Sequence, residues 1–304
     1  MKRFFSVLFF LLLVIIVHGE QPITIKGRIL DAQTREPIPY ANIAIVEVQK
    51  GTTSLGNGLF ALIVDRVDIK GNLNISCLNY ADRIIPLSSF VEDKELDILL
   101  EPILYDIPEV VIKPQKKISL VVNKLKKSDI RGGLPCNGTP LMYARFFEYN
   151  KNDASVNHLS SVQIFSQKWQ QKEVSKVRLR FFAVDTISKN PSEDIVHEEI
   201  IVSLKKGKIN DIDLRNYNIT MPKEGIFVAV EWLIIPENEY VWISADANNK
   251  TRKQIEYGSI LGANYRKESK TWRYWAGKWS HDKNPVIVIE GVVFDAAISI
   301  TLTN

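Results

Sequence analysis

Short apolar runs separated by turn-forming residues constrain the fold of this chain more than any other feature. Between residues 25 and 60, apolar runs alternate with breaks rich in Pro, Gly, Asn and Asp, which is typical of β-strands joined by tight turns. Asn57 and Gly58 tolerate positive φ and predict such a turn just before Phe60. The pattern predicts a small antiparallel sandwich, with strands at about residues 23–30, 41–48, 59–64, 72–79 and 95–100.

The same two-residue period returns beyond residue 141. Apolar residues occupy every second position in two long segments, namely Val177, Leu179 and Phe181, and then Ile226, Val228, Val230 and Trp232. Such alternation predicts central strands of a second sandwich. The predicted fold class is therefore all-β, with two β-sandwich domains. The small one covers residues 22–101, and a larger jelly-roll-like one covers residues 141–304.

Residues 102–140 are predicted to join the two domains through a strand at 107–112 and one short amphipathic helix. The helix is predicted because Ile118, Val121, Val122 and Leu125 recur at the i, i+3, i+4 and i+7 spacing of one helical face. Lysines fill other positions of this segment. They form either a solvated face or a contact with lipid headgroups or an acidic partner.

The first 19 residues have the pattern of a signal peptide. Lys2 and Arg3 precede an apolar run over residues 4–17, and Gly19 provides a small residue at the cleavage point. The run is shorter than the about 20 residues that a membrane-spanning helix needs. We therefore expect an exported protein without a transmembrane segment in the mature chain, located in the periplasm, at the outer membrane or outside the cell.

The composition excludes several function classes. A net charge of +4 spread over 304 residues, apart from the lysine cluster at 113–127, gives no electrostatic footprint for nucleic acid. Cys77 and Cys136 lack the spacing of a redox or zinc motif, and either pair as a disulfide or remain buried thiols. The three histidines after the signal peptide form no metal motif. We expect no catalytic residue, no cofactor and no metal.

Two weaker patterns leave a glycan-directed role open. Trp272, Tyr274, Trp275 and Trp279 lie close together in the sequence, and aromatic rings either pack in cores or stack on sugars and partners. They are the candidate ligand contacts. Glycosidase acids can come from distant strands, so the carboxylates Asp211, Asp213, Glu231 and Glu290 could form a hydrolase site if they converge.

The first third of the chain resembles a known family. The resembling positions are residues 27–31 (Gly-Arg-Ile-Leu-Asp), residues 36–43 (Glu-Pro-Ile-Pro-Tyr-Ala-Asn-Ile), Gly51-Thr52, and residues 57–60 (Asn-Gly-Leu-Phe). These motifs, in this order, resemble the carboxypeptidase-like regulatory domain, also described as carboxypeptidase D regulatory-like. The resemblance implies a transthyretin-like β-sandwich over residues 22–101.

The resemblance also carries functional expectations. Domains of this family are non-catalytic and occur on exported proteins of Gram-negative bacteria, notably as N-terminal extensions of TonB-dependent outer-membrane receptors. The expected function is thus a non-enzymatic cell-envelope protein that binds or scaffolds as an accessory to outer-membrane systems. Its expected partner is a protein or a glycan at the bacterial envelope. The alternative is a glycan-binding module or glycan-directed hydrolase in the C-terminal sandwich.

Overall fold

The first domain, residues 22–105, consists of two facing β-sheets. A computed structural model of the chain describes residues 22–65, 71–90, 95–105, 118–136, 138–149, 151–152, 154–169, 172–245, 251–275, 277–281 and 290–304. The predicted signal peptide and the predicted strand at 107–112 lie outside these residues. The strands of the first domain are β1 (Ile23–Asp31), β2 (Asn42–Ile45), β3 (Lys50–Thr53), β4 (Leu59–Val64), β5 (Asn72–Ser76), β6 (Arg83–Pro86) and β7 (Leu96–Leu100).

One sheet has the order β4-β1-β7 and the other the order β3-β2-β5-β6. β1 pairs antiparallel with β4 and parallel with β7. Ile29 of β1, Ile43 of β2 and Leu73 of β5 point inwards and are fully buried in the core between the sheets. Gly58 adopts a φ of 75° in the predicted turn, and a Cβ there would lie 2.6 Å from the carbonyl oxygen of Ile29. Glycine is therefore required at this turn.

In its described residues, the second domain, residues 118–304, contains three sheets. Its strands are β8 (Ser119–Val122), β9 (Ile130–Cys136), β10 (Met142–Phe147), β11 (His158–Phe165), β12 (Val174–Val184), β13 (Pro191–Asp194), β14 (Ile200–Lys205), β15 (Ile209–Asp213), β16 (Ile226–Trp232), β17 (Glu239–Ala245), β18 (Thr251–Arg266), β19 (Thr271–Trp275), β20 (Lys278–Ser280), β21 (Val293–Ala296) and β22 (Ile298–Thr303). Short 3₁₀ helices in the described part of the chain are Val46–Val48, Leu87–Ser89, Lys127–Asp129, Arg215–Tyr217 and Pro236–Asn238.

The largest sheet has the order β13-β12-β16-β10-β19-β20, and β14 also pairs with β12. A second sheet, β15-β11-β22-β8, faces it, and β18 pairs with β17, β21 and β9 in the third. Side chains of β11, β12, β16 and β22 interdigitate in the main core. The all-β, sandwich-like prediction is confirmed, although the third sheet was not foreseen.

The central strand β16 is buried on both faces. Val228, Val230 and Trp232 face the main core, as the alternation predicted. Phe227 and Ala229 point the other way and are also 0% exposed. They lie beneath a second apolar layer formed with Ala144, Phe182 and Trp272.

The predicted amphipathic helix was wrong. Residues Ser119–Val122 form β8, an edge strand that pairs antiparallel with β22. Ile118 and Val121 are 46% exposed, so they do not share a buried helical face with Leu125. A helix of two turns is marginal in water, whereas pairing with β22 gives the same backbone a row of hydrogen-bond partners. No α-helix occurs in the described ranges, and no helix there is long and apolar enough to cross a membrane.

Both cysteines are free thiols. Cys77 follows β5 and is half-buried, whereas Cys136 ends β9 and is buried. Burial raises the pKa of Cys77 to about 11 and that of Cys136 to about 12. Both side chains are therefore protonated and unreactive at neutral pH.

Candidate functional site: the cleft between the two domains

A buried polar network joins the first domain to the second. Glu231 of β16 is 1% exposed and lies beside Arg178 of the neighbouring strand β12. Nη1 of Arg178 donates to Oε2 of Glu231 over 3.1 Å, and Nδ2 of Asn42, from β2, donates to Oε1 over 2.5 Å. Nη2 of Arg178 donates to the backbone oxygen of Tyr40 at 2.9 Å and to Glu199 at 2.6 Å. Both groups from the first domain are therefore held by charged partners in the second.

Three further contacts fix the relative position of the domains. The amide of Ile234 donates to the Thr53 hydroxyl over 2.9 Å. Nδ2 of Asn79 donates to the backbone oxygen of His197 over 2.5 Å, and the His197 ring stacks on Tyr105 with centroids 3.6 Å apart. Because these contacts are distributed over the first domain, they prevent the two domains from rotating relative to each other as well as from separating.

Between the domains lies a cleft of about 410 Å³, which we call the interdomain cleft. Asn42, Asn74 and Asp82 line it from the first domain, and Glu231 and Tyr274 line it from the second. Oδ1 of Asn42 is buried and has no hydrogen-bond partner among the described residues. Such an atom is costly to leave unpaired, and a ligand or water that donates to it removes the cost.

The titratable groups of the cleft have distinct electrostatic states. Burial alone would raise the pKa of Glu231, but the charges of Arg178 and Arg180 and a hydrogen bond from Asn42 hold it below its ordinary value. Burial raises the pKa of Asp82, and burial together with the charge of Asp82 raises the pKa of Tyr274. At neutral pH the cleft therefore offers an ionised carboxylate, a phenol donor and amide groups.

The residues that form one wall of the cleft also carry a family match. Residues 25–112 match the family model of the CarboxypepD_reg-like domain. The match covers less than a third of the chain and contains Asn42, Asn74 and Asp82. Domains of this family are non-catalytic. No curated protein matches the chain.

The four candidate aromatic residues divide between two faces of the large sheet. Trp272, Tyr274 and Trp279 lie on its outer face. The Tyr274 and Trp279 rings are 5.2 Å apart, and Trp272 packs 4.9 Å from the Phe227 ring. Trp275 lies on the opposite face, against the main core, with the Arg273 guanidinium 5.1 Å above its ring. All four are half-buried, and Tyr274 is the one that lines the interdomain cleft.

The four candidate carboxylates do not converge in one cavity, and Glu290 is exposed. Asp211 and Asp213 of β15 line a shallow depression, where Asp213 forms an ion pair with Arg215. Glu231 instead lines the interdomain cleft, with both carboxylate oxygens already hydrogen-bonded. The described residues contain no group of three or more His, Cys, Asp or Glu side chains that could hold a metal ion.

Asn42, Asp82 and Arg178 were not among the site residues predicted from the sequence. Asn42 and Asp82 belong to turn-rich segments whose residues were interpreted as structural. A signal was present in the second domain, because Glu231 interrupts a strand that is otherwise entirely apolar. A charge at such a position predicts a buried partner, although the sequence does not identify Asn42 as that partner.

Proposed function

We propose that the chain is an exported, non-enzymatic binding protein of the bacterial cell envelope. In this proposal the CarboxypepD_reg-like domain is docked rigidly on the second domain, and the two bind a ligand in the interdomain cleft. The observation that carries the proposal is that both domains supply walls of one cleft, in which Oδ1 of Asn42 has no partner among the described residues. A role in scaffolding outer-membrane systems fits the same rigid docking.

Export is supported by the basic, apolar and small-residue pattern of residues 1–19. The family resemblance supports an association with the envelope, because such domains accompany outer-membrane receptors. The CarboxypepD_reg-like domain would then present the second domain to a protein partner or a glycan at the cell surface.

Expression of the full chain in a Gram-negative host tests export. We expect the mature protein to begin at Glu20, because cleavage after Gly19 removes the basic and apolar segments. The intact mass of the protein in the periplasmic, membrane and secreted fractions shows whether residues 1–19 have been removed. A matched variant, Val17→Arg, should reduce processing by placing a charge at the end of the apolar run. Recovery of only the unprocessed chain in the cytoplasm would contradict export.

The chemistry of the cleft favours a glycan as the ligand. Asn72, Asn74 and Ser76 of β5 line it together with the Tyr274 side chain. Amide and hydroxyl groups beside an aromatic residue are suited to sugar hydroxyls and ring faces. Hydrolysis is less well supported, because both oxygens of Glu231 are engaged and the pKa of this residue is lowered, which makes it a poor general acid.

A glycan array with wild-type protein and Tyr274→Ala tests this assignment. We expect binding to at least one glycan and a loss of about tenfold or more in the variant, because about 1.4 kcal/mol of contact energy corresponds to tenfold in affinity. Trp275→Phe is the matched control, since this neighbouring residue faces away from the cleft. If no glycan binds, or if both variants bind equally well, the glycan assignment is wrong.

A further inference from the structure

A second cavity, separate from the interdomain cleft, lies beside the hairpin of β17 and β18. Tyr240 and Trp242 of β17 pair with Glu256 and Gln254 of β18, so the four side chains project from one face of the hairpin. Trp169, in the loop after β11, also lines this cavity of about 270 Å³. We call it the hairpin groove. It shares no lining residue with the interdomain cleft.

Glu256 is the unusual residue of the hairpin groove. It is 5% exposed, and its Oε1 accepts a hydrogen bond from Gln254. Its Oε2 is buried and has no hydrogen-bond partner in the described part of the chain. Burial raises the pKa of Glu256, and its titratable neighbours Tyr240 and Cys136 are neutral groups that offer no positive charge. A buried carboxyl in this state is destabilising unless a donor or cation pairs with it.

Three of the eight residues that line the hairpin groove are aromatic. Trp169 is 45% exposed although it lines a cavity, Trp242 is half-buried, and Tyr240 is buried. The faces of aromatic rings attract cations, and tryptophan does so most strongly. Apart from Glu256 and the amide of Gln254, the remaining side chains of the groove are apolar or aromatic. A sugar would find few partners for its several hydroxyls here, whereas an alkylammonium group requires one carboxylate and apolar walls.

We propose that the hairpin groove binds a primary alkylammonium group, such as a lysine side chain or a free alkyl diamine. The ammonium group donates to Oε2 of Glu256, and the methylene chain packs against Trp169 and Trp242. A primary ammonium is favoured over a quaternary one because the unpaired oxygen requires an N–H donor.

Titration of the full chain, followed by tryptophan fluorescence and calorimetry, tests the proposal with two nearly isosteric probes. Nα-acetyl-lysine amide should bind, and Nα-acetyl-norleucine amide, which lacks the ammonium group, should bind at least about tenfold more weakly. A trimethylated lysine probe should be weaker than the primary amine, because it has no N–H to donate. A further arm with 1,5-diaminopentane distinguishes a free diamine from a lysine side chain as the source.

Variants assign the binding to this groove. Glu256→Gln should abolish the preference for the lysine probe and should also raise the melting temperature, because it removes a buried carboxyl that lacks a partner. Trp169→Ala, at an exposed position that should not affect folding, should weaken binding of the lysine probe severalfold. Asp213→Asn removes an exposed carboxylate of β15, outside the hairpin groove, and should leave binding unchanged. Equal binding of the lysine and norleucine probes, retained preference in Glu256→Gln, or no binding of any ammonium probe would overturn the proposal.

Discussion

Replacing Glu231 by alanine should lower the free energy of unfolding by about 3–5 kcal/mol, the usual cost of removing one partner from a buried ion pair. The substitution leaves Arg178, which is 1% exposed, without its partner on β16 and deprives Asn42 of its acceptor. It therefore affects both the core of the second domain and the contact with the CarboxypepD_reg-like domain. Urea denaturation monitored by circular dichroism measures the change.

The matched control is Asp213→Ala. It also breaks an arginine–carboxylate pair, but Asp213 and Arg215 are both exposed, at 58% and 70% of their side-chain area. Exposed pairs contribute little, about 0–1 kcal/mol. Similar losses for the two variants would show that the buried network does not hold the domains together.

The contribution of Glu231 to the free energy of unfolding should also depend on pH, and it should decrease on acidification. Because its pKa is lowered in the folded protein, the unfolded chain takes up the proton more readily. The contribution is therefore fully present above the ordinary pKa of a glutamate and is lost as the pH falls through the lowered value. The stability difference between wild type and Glu231→Gln should shrink as the solution is acidified.

Phe227→Ala should cost about 3–5 kcal/mol of folding free energy, as for other buried phenylalanines. Alternation along β16 places Phe227 on the face opposite the main core, where a simple two-sheet sandwich would expose it. The structure instead buries it completely, 4.9 Å from the Trp272 ring and 5.2 Å from the Phe146 ring. Removing the Phe227 ring opens a cavity in the second apolar layer, which Phe227 forms with Ala144, Phe182 and Trp272. Thermal and urea unfolding measure the loss.

Ile187→Ala provides the control for this prediction. Ile187 is also a large apolar residue of the second domain, but it is 91% exposed, so its truncation should change stability by less than about 0.5 kcal/mol. A near-neutral Phe227→Ala would mean that the second apolar layer is not packed and that Trp272 and Trp279 are available to solvent.

The first domain was the most predictable part of the fold because its local signals agree with one another. Asn57 and Gly58 specify a turn, and the alternation of Phe60, Leu62 and Val64 matches the burial of β4. The segment at 118–125 failed for the opposite reason, since its apolar spacing fits both a helical face and a strand edge. Only the distant partner β22 decides between them, and short-range patterns contain no information about such a partner.

The candidate site was far less predictable than the fold. Of the four aromatic residues singled out from the sequence, Tyr274 alone reaches the interdomain cleft, and its position there depends on how the CarboxypepD_reg-like domain docks. Asn42 and Glu231 are separated by 189 residues and meet only through that docking. The hairpin groove likewise combines Trp169 with a hairpin that begins at Glu239. Periodicity reports which face a residue occupies but not which distant residue faces it.

The pairing of β8 with β22 has a consequence for the order of folding. β8 and β22 are the first and the last described strands of the second domain. Their sheet is therefore completed only after a very long loop has closed. The strands of the first domain all lie within residues 23–100, and the pairing of its first and last strands, β1 and β7, closes a much shorter loop. The CarboxypepD_reg-like domain should therefore form early, while the second domain forms slowly. Tyr40 and Asn42 would then already be positioned when Arg178 and Glu231 form their hydrogen bonds to them.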